Sequence, residues 1–168
     1  MSILKVKKLR EDVVMPKYES DLASGMDVRA YACEMWDNDS KTLIPVQLDT
    51  YKENTGWWIP ANATIILKTG LAVACGTEEE VQVRPRSGYS LKSPMRLSNS
   101  IGTIDADYRG EVGIIMTNNG QYGKWFIPYS ERVAQLVVCP VIRSQIIEVD
   151  ELDDTERGAG GYGSTGTK

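Results

Sequence analysis

Apolar and polar residues alternate along this chain in short runs with the period of a β-strand. Leu4-Lys5-Val6-Lys7-Lys8-Leu9 begins the pattern. Ala63 to Lys68, Leu71 to Cys75, Val81 to Val83, Val112 to Thr117 and Val133 to Ile142 continue it as short runs rich in β-branched residues. Gly, Pro, Asn and Asp punctuate the intervals between them. No stretch sustains the helical period, so one or two turns around Tyr89-Ser90-Leu91-Lys92, stopped by Pro94, are the only helix expected. Many short strands with frequent turns predict an all-β fold, a β-sandwich or barrel-like jelly roll, with one short helix.

Two regions depart from this pattern. Residues 34–58 are polar and turn-rich, with Trp36, Trp57 and Trp58 interspersed; Leu43 to Tyr51 reads as a strand and Asn54-Thr55-Gly56 as a hairpin turn. Arg157 to Lys168 carries five of the 15 glycines and has almost nothing to bury, which predicts a flexible C-terminal arm. The expected organisation is a single β domain over 1–154 followed by a flexible arm over 155–168, a linker end or a lid.

Composition narrows the chemistry. The chain has 168 residues, 42% hydrophobic and 25% charged, with 19 Lys+Arg against 23 Asp+Glu and a net charge of -4. That size and balance suit one globular domain. A mildly acidic chain has no broad pull on a nucleic-acid backbone, and no apolar run is long enough for a bilayer. Cys33, Cys75 and Cys139 lack metal-ligand spacing and are odd in number, which favours reduced thiols in a cytoplasmic protein. Met1 to Arg10 has the pattern of neither a signal nor a transit peptide. There is no histidine, so every His-based relay and His-ligated zinc is excluded. Acid–base chemistry at neutral pH falls to carboxylates, Lys, Tyr, Cys or a metal-bound water.

Five segments carry candidate chemistry, and each has a plain structural reading beside the functional one. Arg84-Pro85-Arg86-Ser87-Gly88 is a turn, or a phosphate grip at a short helix start. Asn99-Ser100-Ile101-Gly102-Thr103-Ile104-Asp105-Ala106-Asp107-Tyr108-Arg109-Gly110 closes a hairpin, or sets a carboxylate base beside an aromatic platform; the spacing of Asp105 and Asp107 puts them on one face if the strand continues. Ser24 to Ala30 places Asp27 and Arg29 in a polar turn entering a strand. Glu131 to Val138 puts Gln135 inside an apolar strand, facing outward or making a specific hydrogen bond. Arg157 to Gly166 is a linker end, or a lid that orders over an anion through Arg157, Ser164, Thr165 and glycine N–H groups, with Tyr162 as its one aromatic.

Taken together and in this order, the five segments resemble the five sequence motifs of the trimeric dUTPases, nearly end to end. Each motif alone is modestly specific; five in register are far more so. The resemblance implies a jelly-roll-like β-clip and a reaction that cleaves dUTP to dUMP and pyrophosphate. It implies that Asp105 activates the attacking water and that Tyr108 lies against the deoxyribose. Asn99 and the hairpin backbone, including Gly102 and Ile104, would read uracil. Arg86, Ser87, Gly88 and Gln135 would hold phosphates. Asp27 would join a network of metal-bound waters, with Mg2+ gripping the triphosphate. In the arm, Arg157, Gly163, Ser164 and Thr165 would bind the outer phosphates and Tyr162 would stack over uracil. The family resemblance also implies a homotrimer in which different subunits contribute motifs to each site.

This sequence departs from the family pattern in four places. Tyr162 stands where Phe is usual, Tyr89 where a small apolar residue is common, and Ser98 where Gly is frequent. The segment within about 34–58 is longer than usual. Two other functions compete. One is a dCTP deaminase or bifunctional deaminase-dUTPase, for which Glu111 is the only candidate base. The other is a regulatory protein of the same fold that binds a partner through the 34–58 segment.

Overall fold

The structure is a computed structural model that describes residues 2–161. The strands, in chain order, are β1 (Lys5–Lys8), β2 (Met26–Arg29), β3 (Ala32–Asp37), β4 (Thr42–Pro45), β5 (Asp49–Tyr51), β6 (Asn54–Pro60) and β7 (Thr64–Lys68). They continue as β8 (Leu71–Ala74), β9 (Glu79–Pro85), β10 (Met95–Leu97), β11 (Gly102–Ile104), β12 (Gly113–Asn118), β13 (Lys124–Pro128) and β14 (Arg132–Pro140). The one helix among the described residues, α1 (Ser87–Lys92), lies between β9 and β10. The chain is therefore all-β with one short helix, as the periodicity predicts.

Four antiparallel sheets form the body: β1-β8, β10-β12-β7-β3-β4, β11-β9-β14-β2 and β13-β6-β5. Strand alternation explains which face each turns inward. In β12, Ile114, Met116 and Asn118 point to the core and the intervening residues do not. Ile65 and Leu67 of β7, Trp57 and Ile59 of β6, Ile127 of β13 and Leu136 of β14 meet them there, all almost fully buried. Asn118 is polar yet buried because its side chain is satisfied: Nδ2 donates to the Ile59 carbonyl at 2.9 Å and Oδ1 accepts from Gly120 N–H at 2.9 Å.

The 34–58 segment contributes both core and surface. Trp57 is 1% exposed, and Trp58 packs in a cluster with Tyr51 and Phe126. Trp36 stays half-exposed beside Leu43, its cross-strand neighbour. The run expected as one strand from Leu43 to Tyr51 divides between two sheets. After Pro45, Val46 N–H bonds the Cys33 carbonyl, and β5 then pairs with β6 instead of β3. The hairpin turn also sits earlier than Asn54-Thr55-Gly56, which lie within β6. Lys52, at φ 56°, takes the left-handed turn position instead.

Helix α1 ends as its sequence dictates. Ser93 N–H and Oγ both donate to the Tyr89 carbonyl, at 3.0 and 2.8 Å, and Pro94 follows. All three cysteines are free. Burial pushes the Cys33 thiol up to about 12, so it stays protonated and behaves as a small apolar residue. No helix among the described residues is long and apolar enough to cross a membrane.

Candidate active site

The sheet β11-β9-β14-β2 places four of the five candidate segments. Its register sets Gln135 opposite Asp27 on one side and Arg84 on the other. These residues share the face turned away from the core. Asp27 sits within β2, one residue after its start, rather than in the preceding turn.

Asp27 organises a pair of guanidinium groups. Its Oδ1 accepts from Arg86 Nε at 2.8 Å and its Oδ2 from Arg132 Nη1 at 3.2 Å. Arg86 Nη1 also donates to the Arg132 carbonyl at 2.8 Å. Glu19 stands 3.8 Å from Arg132 on the exposed side. Beside them, Gln135 Nε2 donates to the Pro85 carbonyl at 2.9 Å. Its Oε1 lies where a side chain on residue 25 would be: a Cβ on Gly25 would sit 2.3 Å from that oxygen. Gly25 therefore lets the Gln135 amide lie flat across the face.

Arg132 is a site residue that the sequence reading missed. It lies three positions before Gln135, and in a regular strand that spacing would send the two to opposite faces. A register shift between Arg132 and Ala134 breaks the alternation. Val133 and Ala134 are both buried, and Arg132 and Gln135 emerge on the same side. Two consecutive apolar residues between two polar ones, in Arg132-Val133-Ala134-Gln135, were the available signal.

Ser87 and Gly88 open α1 next to this pair. The first turn holds no acidic residue and no side-chain cap, so its leading N–H groups have no partner within the helix. An added Cβ at Gly88 would meet nothing within 4 Å, which leaves the approach open. Tyr89 packs against the core, with its hydroxyl buried and without a hydrogen-bond partner among the described residues. Burial holds that phenol well above its ordinary range. Arg86, Ser87, Gly88, Gln135, Arg132 and Asp27 thus form one cationic, donor-rich face fit for a phosphate chain.

The acidic hairpin lies at the other end of β9. Gly102 and Ile104 of β11 face Val83 and Val81, and Asn99 Nδ2 lies 3.3 Å from the Cβ position of Gly102. The strand stops at Ile104. Asp105 and Asp107 therefore fall in a turn, closed by Tyr108 N–H on the Asp105 carbonyl at 3.1 Å, rather than on one face of a continuing strand. Neither Asp makes an ion pair among the described residues, and both are exposed. Arg109 braces the turn through the Ala106 and Tyr108 carbonyls, at 2.6 and 2.8 Å. An open cleft of about 590 Å³, lined by Asp105, Asp107, Arg109, Glu80 and Arg143 among others, adjoins it.

Asp105 and the arginine pair do not meet within one chain. Val81, beside Ile104, and Arg86 are separated by most of the length of β9, roughly 16 Å at the strand rise of about 3.3 Å per residue. Beyond β14 the described chain has no regular structure and leaves Ile142, Ile146 and Leu152 exposed. Among the described residues, the Arg157 side chain bonds only the Gly160 carbonyl, within its own segment. Tyr162, Gly163, Ser164 and Thr165 lie outside the described residues.

Among the described residues no group of three acidic or sulfur side chains is placed to hold a metal ion directly. Both oxygens of Asp27 are engaged by guanidiniums but keep spare lone pairs, which fits water-mediated contact with a hydrated cation and not direct ligation. Glu111, the one candidate base for a deaminase, is committed elsewhere. It accepts Gly70 N–H at 2.7 Å and pairs with Lys68 at 3.3 Å.

Comparison with known proteins agrees with this geometry. The dUTPase family model matches residues 48–166. A deoxyuridine 5'-triphosphate nucleotidohydrolase of Crocosphaera subtropica is 39% identical over 163 residues, covering 97% of this chain and 98% of the relative. One from Syntrophotalea carbinolica is 41% identical over 97% of this chain and 96% of its own length. Among solved structures, the G164S mutant of the Staphylococcus bacteriophage 80alpha dUTPase with dUpNHpp superposes with a TM-score of 0.78 at 23% identity, over 98% of each chain. A mutant dUTPase from phage phi11, described with a coordinated structural Mg(II) ion, gives a TM-score of 0.70 at 21% identity, over 90% of this chain and 99% of that one. The chain belongs to the dUTPase family.

Proposed function

We propose that this chain hydrolyses dUTP to dUMP and pyrophosphate, at sites to which more than one copy contributes. The observation that carries this reading is the division of the site. A cationic face around Asp27, Arg86 and Arg132 and an unpaired Asp105 stand at opposite ends of β9. Brought together from two copies, they supply what phosphoanhydride hydrolysis needs: a base for water and cations for the leaving group.

In this mechanism the Asp105 carboxylate accepts a proton from a water aimed at the α-phosphorus. The oxygen of that water forms the new P–O bond as the bond to the bridging oxygen breaks, and pyrophosphate leaves with the electron pair. Arg86, the Ser87 and Gly88 region and Gln135 bind the phosphates and offset the charge that develops on the leaving side. Asp27 fixes Arg86 and Arg132 so that their remaining N–H groups face the phosphates. Tyr108 packs on the deoxyribose and occupies the space of a 2′-hydroxyl. Asn99 with the Gly102 and Ile104 backbone reads the uracil edge. Arg157, Tyr162, Gly163, Ser164 and Thr165 of the arm close over the nucleotide and exclude bulk water. Asp27 would hold a triphosphate-bound Mg2+ through the ion's waters, and the ion would supply charge neutralisation at the phosphates. The assembly is a homotrimer with shared sites in the cytoplasm. The β domain spans 1–154, elaborated at about 34–58, and the arm 155–168.

The test is pyrophosphate release from dUTP beside UTP, dTTP and dCTP, with ammonia release from dCTP as the deaminase control. Turnover of dUTP well above the other three, with no ammonia, is the expected result. Equal turnover of all four nucleotides, or ammonia from dCTP, removes the reading.

A further inference from the structure

Tyr108 is held in place without being buried. It is 47% exposed, so packing alone does not fix its ring. Its hydroxyl donates to the Glu111 carbonyl at 3.2 Å. The ring tip lies over Gly110, where a Cβ would sit 2.3 Å from Oη. The ring therefore folds back on the segment between the hairpin and β12, and its position depends on where that segment runs.

Glu111 anchors the segment leading into β12 at the same residue. Its Oε1 accepts Gly70 N–H at 2.7 Å, and its Oε2 pairs with Lys68 Nζ at 3.3 Å. Lys68 reaches on to Glu34 of β3 at 3.9 Å. The Glu111 and Lys68 side chains are about three-quarters buried, at 24% and 27% exposure. Partial desolvation and the short bond to a backbone N–H make this anchor stronger than a surface ion pair. The next residue is tied to the same turn, since Thr69 Oγ1 donates to the Val112 carbonyl at 2.7 Å. The β7–β8 turn is itself rigid, with Gly70 at φ +65° and closely packed against Val13.

We propose that Glu111 is a positioning residue. By anchoring its own carbonyl to the Gly70 turn, it holds the Tyr108 ring where a ribose 2′-hydroxyl would stand, and so sets the discrimination between dUTP and UTP. This rests on the reading of Tyr108 as the sugar-facing residue. It assigns the carboxylate a task other than proton transfer. A ring that loses its hydroxyl's acceptor can swing to another rotamer toward solvent, and the space beside the sugar opens. Selectivity suffers before turnover, because neither Asp105 nor the phosphate grip moves.

The experiment measures kcat and KM for dUTP and UTP with the full-length chain. Glu111→Ala is expected to lower the dUTP/UTP ratio of specificity constants by about tenfold, the low end of what one apolar pocket contact is worth. The change should come mainly from a gain on UTP. Glu111→Gln keeps an acceptor for Gly70 N–H and should restore most of the discrimination. Tyr108→Phe removes the hydroxyl with little risk to folding and should shift the ratio in the same direction. Glu111→Ala should add nothing in a Tyr108→Ala background. If Tyr108→Ala lowers the ratio while Glu111→Ala and Tyr108→Phe leave it unchanged, the positioning role is overturned and the sugar-facing reading stands. If Tyr108→Ala itself leaves the ratio unchanged, both fall. Should Glu111→Ala fail to fold, Tyr108→Phe and Glu111→Gln decide, and an unchanged ratio in Tyr108→Phe overturns the proposal.

Discussion

Arg86 and Asp27 are joined across the β2-β14-β9 sheet by a 2.8 Å bond from Nε to Oδ1, with only 21% and 15% of their side chains exposed. The same carboxylate takes Arg132 on its other oxygen. One anion thus keeps two cations side by side, an arrangement that costs stability without it.

Asp27→Asn should therefore act on both binding and stability. Two guanidiniums that share a neutral amide repel each other and lose their common orientation. Removing the charged partner of a mostly buried pair is expected to cost about 2–4 kcal/mol of stability in thermal or urea unfolding. The KM for dUTP should rise. An unchanged KM would mean that the arginine pair does not face the nucleotide.

Cutting the chain after Asp154 should separate folding from catalysis. Among the described residues, no core residue lies beyond Val138, and the hydrogen bonds of residues 155–161 stay within that segment. Thermal stability should change little. Hydrolysis of dUTP should fall severely, because Arg157, Tyr162, Ser164 and Thr165 go with the cut. Near-normal activity in the truncated chain would remove the lid from the mechanism.

A second cluster sets a pH window for stability. Tyr129 Oη donates to Asp12 in a short hydrogen bond, and Arg10 reaches both residues. The Tyr129 hydroxyl, then Arg10, hold the Asp12 carboxyl below its ordinary value of 3.8. Burial and the Asp12 bond hold the Tyr129 phenol above its ordinary 10. A lowered acid stabilises the fold above its unfolded value, and that contribution disappears as pH falls through the folded one. A raised phenol stabilises below its unfolded value, and that contribution disappears as pH rises through the folded one. The bond should thus contribute fully between about pH 4 and pH 10. Unfolding of wild type and of Tyr129→Phe by urea across pH 3 to 11 checks this. A constant stability difference at both extremes would contradict it.

Most of the fold was legible because apolar alternation reports directly on strands buried on one face. Val133 to Ile142 and Val112 to Thr117 fall on β14 and β12, to within a residue or two. The run Leu43 to Tyr51 misled because alternation says nothing about which sheet a strand joins. Pro45 ends one ladder, and Asp49 opens another. Lys52 in a left-handed turn carried no signal, since Gly and Asn usually mark that position. In the site, the Asp27, Arg86 and Gln135 grouping follows from strand register, which periodicity cannot supply. Arg132 was hidden by a bulge that breaks the alternation rule. Glu111 was weighed as a base because sequence cannot show that its carboxylate is already bound to Gly70 and Lys68.

The division of the site between copies is tested most directly by complementation. Asp105→Asn disables the hairpin and should cut turnover by about two or more orders of magnitude, the usual cost of losing a general base. Arg86→Gln disables the opposite end of β9. Each variant alone should be nearly inactive on dUTP. Co-expressed in equal amounts, they should assemble into mixed oligomers that recover roughly a quarter of wild-type turnover, since each site then has an even chance of drawing an intact residue from each of two copies. If mixed oligomers form and no activity returns, Asp105 and Arg86 serve the same site from a single chain, and the shared-site account is wrong.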